Sequence, residues 1–122
     1  VSRPDADGIL VKEILIAPRL LVEQENWGEM QNFALVITWR GVQEDEGDRA
    51  RGGYGVQGGQ FKWLSRTGKW ASYVEPYQQW QYRWATIEEA MKVALEHRDD
   101  IRVNGKTYSE WYGNMNQEQS NG

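Results

Sequence analysis

WQYRWATIEEAMKVALEHRDDIRVNGKTY, residues Trp80 to Tyr108, is the stretch whose reading decides the fold. Trp80, Tyr82 and Trp84 alternate with Gln79, Gln81 and Arg83. A period of two puts rings on one face and polar groups on the other, so the run predicts an aromatic strand. Thr86 follows, with Glu89 three residues later. That spacing is a capping box, in which the hydroxyl and the carboxylate each accept from an amide that a helix start leaves free. Ile87, Ala90, Met91, Ala94 and Leu95 then recur at helical spacing as one apolar stripe. Glu88 and Lys92 take the favourable order on the wet side. The stripe is narrow and its residues are small, which suits close approach to a sheet carrying large rings. Asn104-Gly105 is a type I′ turn signal that folds Ile101–Val103 against Lys106–Tyr108 as a hairpin. A helical start over Tyr108–Tyr112 is the rival reading.

Upstream, Val1–Gly8 reads as a loose polar arm. Ile9–Ala17 (ILVKEILIA) predicts a strand, with Lys12 and Glu13 marking a sheet edge. Pro18 interrupts it, and Arg19–Glu23 reads as a second short strand; Asn26–Gly28 reads as a turn. Asn32–Arg40 (NFALVITWR) is apolar on both faces, which predicts an interior strand. Gly41–Gln60 holds seven glycines and a Glu-Asp-Glu run, and reads as a long mobile loop or a hairpin with a loose tip. Gln60–Leu64 and Lys69–Val74 read as a hairpin around Arg66-Thr67-Gly68. Gly113–Gly122 is polar and repetitive and reads as a disordered tail.

The 122 residues suffice for one modest core, placed in a single domain over residues 1–112. Leu, Ile, Val and Phe are sparse, but seven Trp and six Tyr compensate, since a buried ring removes about 150–250 Å² from water. The fold class expected is α+β: one twisted antiparallel sheet of about five or six strands with one main helix, Thr86–Arg98, across one face. The expected core is Ile14, Ile16, Phe33, Leu35, Ile37, Trp63, Trp84, Ile87, Met91 and Leu95.

Several chemistries are set aside. The net charge of −4 is not that of a basic nucleic-acid binder and is too small to mimic DNA. With no cysteine there is no disulfide, thiolate nucleophile or cysteine metal site. No window approaches the about 18 apolar residues of a membrane span, and no leader peptide opens the chain; the expectation is a cytoplasmic protein. Val1 reads as a literally translated GTG start or a trimmed terminus.

Gly53-Tyr54-Gly55-Val56-Gln57-Gly58 matches a dinucleotide-loop pattern. That mechanism requires a strand before it and a helix after it to aim amides at the pyrophosphate. Here an acidic loop precedes and Phe61-Lys62-Trp63 follows, so a glycine loop is the better reading and no cofactor is expected. Gly105-Lys106-Thr107 lacks the earlier glycine of a phosphate loop, since Asp100 stands at that place. His97 is the single histidine, with Asp99 and Asp100 beside it. A helix end favours such a cation, whereas a hydrolytic zinc site wants three protein ligands including more than one His, so no metal is expected. Glu44, Asp45, Glu46 and Asp48 read as a solvated acidic loop, not an EF-hand. Nothing pairs a nucleophile with a base, and no catalytic residue is assigned. A small hydrolase would require a cleft joining His97 to several carboxylates.

The candidate binding residues are Tyr54, Trp63, Arg66, Lys69, Trp70, Tyr73, Trp80 and Arg83, cations interleaved with rings. On a sheet face such a set suits single-stranded nucleic acid, with bases stacked on rings and phosphates tracked by Arg and Lys. The alternative is that the rings are core and the cations face solvent beside them.

LSRTGKW from Leu64, Glu75-Pro76, Trp84-Ala85-Thr86 with EEAMKVA, and IRVNGKTYSEW together resemble small proteins of actinobacterial phages and prophages. In those, a Leu-Ser-x-x-Gly-x-Trp hairpin precedes an aromatic strand, one helix and a Val-Asn-Gly turn. The shared motifs are structural and bring no catalytic residue with them. The resemblance implies a non-enzymatic accessory protein in the host cytoplasm that binds a host macromolecule, foremost a protein. A surplus of Trp and Tyr also suits interface anchors.

Overall fold

The computed structural model describes residues 13–58 and 62–113. Its centre is a five-stranded antiparallel sheet whose strands lie side by side in chain order. They are β1 (Glu13–Ile16), β2 (Leu35–Arg40), β3 (Gly53–Gly58), β4 (Lys62–Leu64) and β5 (Trp70–Ala71). β6 (Arg102–Val103) and β7 (Lys106–Thr107) form a separate two-stranded sheet. The class is α+β, as the sequence leads one to expect.

Register sorts the two faces. Ile14 and Ile16 stand opposite Ile37 and Leu35, and Leu35, Ile37 and Trp39 stand opposite Gly58, Val56 and Tyr54. Because side chains alternate along a strand, these residues share the inner face. Leu35, Ile37 and Val56 are sealed from solvent there, with Leu64 beside them. Burying each such side chain contributes about 1.5–3 kcal/mol. Glu13, Leu15, Val36, Thr38, Arg40, Gln57 and Trp63 belong to the outer face.

α3 (Ile87–Glu96) lies against β2 and β3. Ala90 and Ala94 are fully buried, and Ile87, Met91 and Val93 pack partly buried beside them. Two alanines at the contact bring the helix backbone close to the sheet, as the narrow stripe predicts. Leu95 departs from expectation: it is exposed, and Val93 takes the position at the core margin. The Thr86 hydroxyl accepts from the Glu89 amide at 3.2 Å, which caps the helix.

The hairpin at Asn104-Gly105 has φ of 52° and 83° at its two central residues, as a type I′ turn demands. Residues 108–113 then run helical, so hairpin and helix follow one another. The Thr107 hydroxyl accepts from the Glu110 amide, and the Glu110 carboxylate accepts from the Thr107 amide. This is a full capping box, T-x-x-E, which the sequence displays and our reading missed. Tyr108 is buried: its hydroxyl donates to Gln24 at 2.6 Å and its ring meets Phe33 edge-on. It closes the core against the N-terminal helical segment.

Four segments correct the sequence reading. Arg19–Glu23 is α1, a helix, not a strand. Pro18 cannot continue a ladder but suits a helix start, and Leu21 buries its side chain from there. Phe33 ends α2 (Met30–Phe33), so the strand predicted from Asn32 begins at Leu35. Trp80–Tyr82 belongs to a 3-10 helix, Pro76–Tyr82, and the aromatic strand survives only as one bridge between Trp84 and Tyr54. Pro76 sets the helical φ, and β4 already occupies the same edge of β3 at Gln57 and Gly58.

The fourth correction is the glycine stretch. It is not one loop: Glu44–Glu46 is a 3-10 turn and Gly53–Gly58 is the middle strand of the sheet. Gly53 admits a close neighbour, since a Cβ there would lie 2.6 Å from the Trp84 carbonyl oxygen. Gly58 faces the Ile101 side chain and the Trp70 ring in the same way. Of the remaining expectations, β1 is an edge strand, though Ile9–Lys12 lie outside the described residues, and β5 is shorter than the Lys69–Val74 strand expected. Of the expected tail only Gly113 is described, and it is helical.

Candidate functional site

On the outer face, Arg40 of β2 stands opposite Gly53 of β3. Its guanidinium lies 4.4 Å above the centre of the Trp63 ring, and Gly55 leaves the space beneath the two side chains. Stacking over an indole stabilises the cation and leaves its in-plane N–H groups pointing outward. The bridge between Trp84 and Tyr54 sets Arg83 on this same face.

Arg83 and Glu46 form a buried pair, each with 3% of its side chain exposed. The fork is bidentate: Nη1 donates to Oε1 at 2.7 Å and Nη2 to Oε2 at 2.9 Å. Nη1 also donates to the Arg51 carbonyl at 2.9 Å. Glu46 comes from the 3-10 turn and Arg83 from the end of the 3-10 helix, so the pair ties these two covering segments to each other. The acidic run is therefore not wholly solvated. Glu44, Asp45 and Asp48 are exposed, and Glu46 turns inward.

Between the sheet and these segments lies a cleft of about 550 Å³. Arg40, Arg83, Glu46, Trp39, Thr38 and Gln79 are among its walls, with Asp45 at an exposed position. Two cations face one buried carboxylate. Burial, with the neighbouring Arg83 charge second, holds the Arg40 pKa below its ordinary value, and Glu46 pulls it back up. Arg83 Nε and Trp39 Nε1 are buried and have no acceptor among the described residues. The arrangement can hold an anion.

A second cleft, about 450 Å³, is lined by Ser65, Arg66, Thr67, Trp80 and Gln81. Arg49 lies 5.5 Å from the centre of the Trp80 ring.

The eight candidate binding residues therefore separate. Tyr54 is in the core, edge-on to Trp39, and offers no free ring. Arg83 is buried in its ion pair and is no surface cation. Trp63 is half-buried on the outer face beneath Arg40, outside the core where it was expected. The Trp70 indole donates to Asp100, which also bonds His97 Nδ1 at 2.6 Å. Tyr73 is 71% exposed and Lys69 is exposed. Arg66 and Trp80 share a cleft. Arg40, Glu46 and Trp39 were missed. Arg40 ends an alternating strand on the face of Thr38, a readable signal, whereas nothing in Glu-Asp-Glu singles out the last carboxylate.

Among the described residues no group of three or more His, Cys, Asp or Glu is placed to hold a metal ion. Among them also, no helix is long and apolar enough to cross a membrane. No protein-family model, curated protein or solved structure matches the chain.

Proposed function

We propose that this chain is a non-enzymatic binding protein that docks a partner protein on the outer face of its sheet. The observation that carries the reading is the row Leu15, Val36, Gln57 and Trp63, set side by side across β1 to β4. Leu15 is 51% exposed, and the Trp63 ring carries a stacked cation. An aliphatic and aromatic strip with an arginine at one end has the composition of an interface centre. His97, the sole histidine of the sequence, has Nδ1 2.6 Å from Asp100, which also accepts from the Trp70 indole. The likeness of the C-terminal motifs to phage and prophage proteins makes a host-cell protein the partner in this reading, with the cytoplasm as its place of action.

The test is affinity capture from bacterial lysate, followed by titration of the repurified partner against Leu15→Asp and Trp63→Ala. Each variant is expected to weaken binding at least about tenfold. Unchanged affinity in both sinks the reading.

The cleft at Arg66 and Trp80, with Arg49 on the ring, favours a second reading: a stacking site for a single-stranded nucleic acid. Oligonucleotide binding that falls steeply with salt and is lost in Trp80→Ala supports it. No binding at low salt removes it.

A further inference from the structure

The cleft between the sheet and its two covering 3-10 segments is lined by two arginines and one buried carboxylate. The Arg83 fork is taken by Glu46, and Arg83 Nε is buried with no acceptor among the described residues. The Arg40 guanidinium stacks on Trp63 and, among the described residues, has no carboxylate partner. Arg40, Arg83 and Trp39 all line the one cleft. A buried N–H with no acceptor is costly, and native interiors hold few of them without a reason. We propose that this cleft binds a carboxylate, with Arg40 as its principal ligand and with Arg83 and Trp39 in its walls.

Charge selects the ligand class. Arg40 and Arg83 against Glu46 leave one positive charge in the cleft, and Asp45 sets a negative charge at its rim. A monoanion brings the interior to neutrality. A phosphate dianion would leave that interior one charge negative, beside the Asp45 carboxylate at the rim. The Arg40 fork also matches a planar carboxylate in two-point contact. Burial first, and the neighbouring Arg83 charge second, lower the Arg40 pKa. Arg40 further joins the cleft to Trp63, so a segment lying along the outer face can place an acidic group here. That last step rests on the binding-protein reading; the carboxylate site itself does not.

The experiment is ¹⁵N NMR of the full chain, following the Arg40 Nε–H and Arg83 Nε–H resonances. The probes are acetate, inorganic phosphate and chloride at matched ionic strength. Acetate is expected to shift both resonances saturably, chloride to leave them in place, and phosphate to bind more weakly. Arg40→Gln is expected to weaken acetate at least about tenfold. Arg40→Lys keeps a charge over Trp63 but loses the fork; it is expected to weaken acetate too and carries the test if Arg40→Gln fails to fold. Two acetylated peptides then distinguish the source, one with a glutamate side chain and an amidated end, the other with a free C-terminus and no acidic side chain. Tighter binding of either than of acetate supports the site and assigns the group. The inference is overturned if acetate gives no saturable shift, if chloride does the same, if phosphate binds more tightly, or if neither Arg40 variant changes the affinity. Loss of partner binding in Leu15→Asp with no acetate response would sink this inference and spare the docking face, and the reverse pattern would do the opposite.

Discussion

Arg83 holds Glu46 across 37 positions of chain through both ends of its guanidinium, at 2.7 and 2.9 Å, with the two side chains almost wholly out of water. Taking two charges out of water is expensive, and their attraction repays it only when geometry and further hydrogen bonds are good. Here the fork is bidentate and the Arg51 carbonyl takes a third bond. The pair fixes where the 3-10 turn and the 3-10 helix sit, and so shapes the cleft.

Removing one member of such a pair leaves a buried unpaired charge. Glu46→Ala is expected to lose about 3–5 kcal/mol of stability. Replacing both, Glu46→Leu with Arg83→Met, is expected to recover most of that loss. Urea denaturation of the single and double variants checks it. A double variant no more stable than Glu46→Ala would mean the charges themselves hold the fold.

Gly53 and Gly28 separate packing from composition. A Cβ on Gly53 would run into the backbone oxygen of Trp84, whereas Gly28 has open space around it. Gly53→Ala is expected to cost about 1–3 kcal/mol and Gly28→Ala to stay within about 0.5 kcal/mol of the parent. Gly105 has open space but a φ of +83°, so Gly105→Ala is expected to cost about 1 kcal/mol through backbone strain. Thermal melts of the three variants give the order.

The cap and the exposed leucine of α3 make a paired test. Thr86→Ala removes the acceptor for the Glu89 amide and is expected to cost about 1 kcal/mol. Leu95→Glu changes an exposed side chain and is expected to stay within about 0.5 kcal/mol of the parent. A large loss on Leu95→Glu would restore Leu95 to the core.

Glu110 gives a pH signature. The Thr107 amide first, then the Thr107 hydroxyl, hold its carboxyl below the ordinary glutamate pKa, with Arg102 and Lys106 adding to the effect. A depressed folded pKa means that the unfolded chain takes up the proton more readily. The contribution to stability is therefore present above the ordinary glutamate pKa and is lost as pH falls from there through the folded value. Carboxyl ¹³C NMR of Glu110 is expected to show the lowered titration midpoint, and Thr107→Val to move it back upward.

Much of the frame is legible in local pattern. Leu35–Arg40 reads as an interior strand because its alternation and β-branching are local properties. Thr86 with Glu89, the alanines of the following stripe, and Asn104-Gly105 are legible for the same reason: a cap, a helix face and a turn are each decided within a few residues. The candidate site is hardly legible. Arg66 and Trp80 meet in one cleft, but Tyr54 and Arg83 are buried, Arg40 went unread, and Glu46 was read as solvated.

Sequence by itself determined an α+β chain with a small-residue helix, an interior strand, an edge strand and a type I′ hairpin. Only the tertiary structure decided that the glycines of Gly53–Gly58 are a central strand, that Trp80–Tyr82 is helical, and that one carboxylate of an acidic run belongs to a buried arginine. The reason is physical. A glycine is read locally as freedom, yet here it is demanded by backbone from the other half of the chain pressing within 2.6 Å of where a Cβ would be. Which charge turns inward depends on which partner the fold brings to meet it, and no window of local sequence contains both.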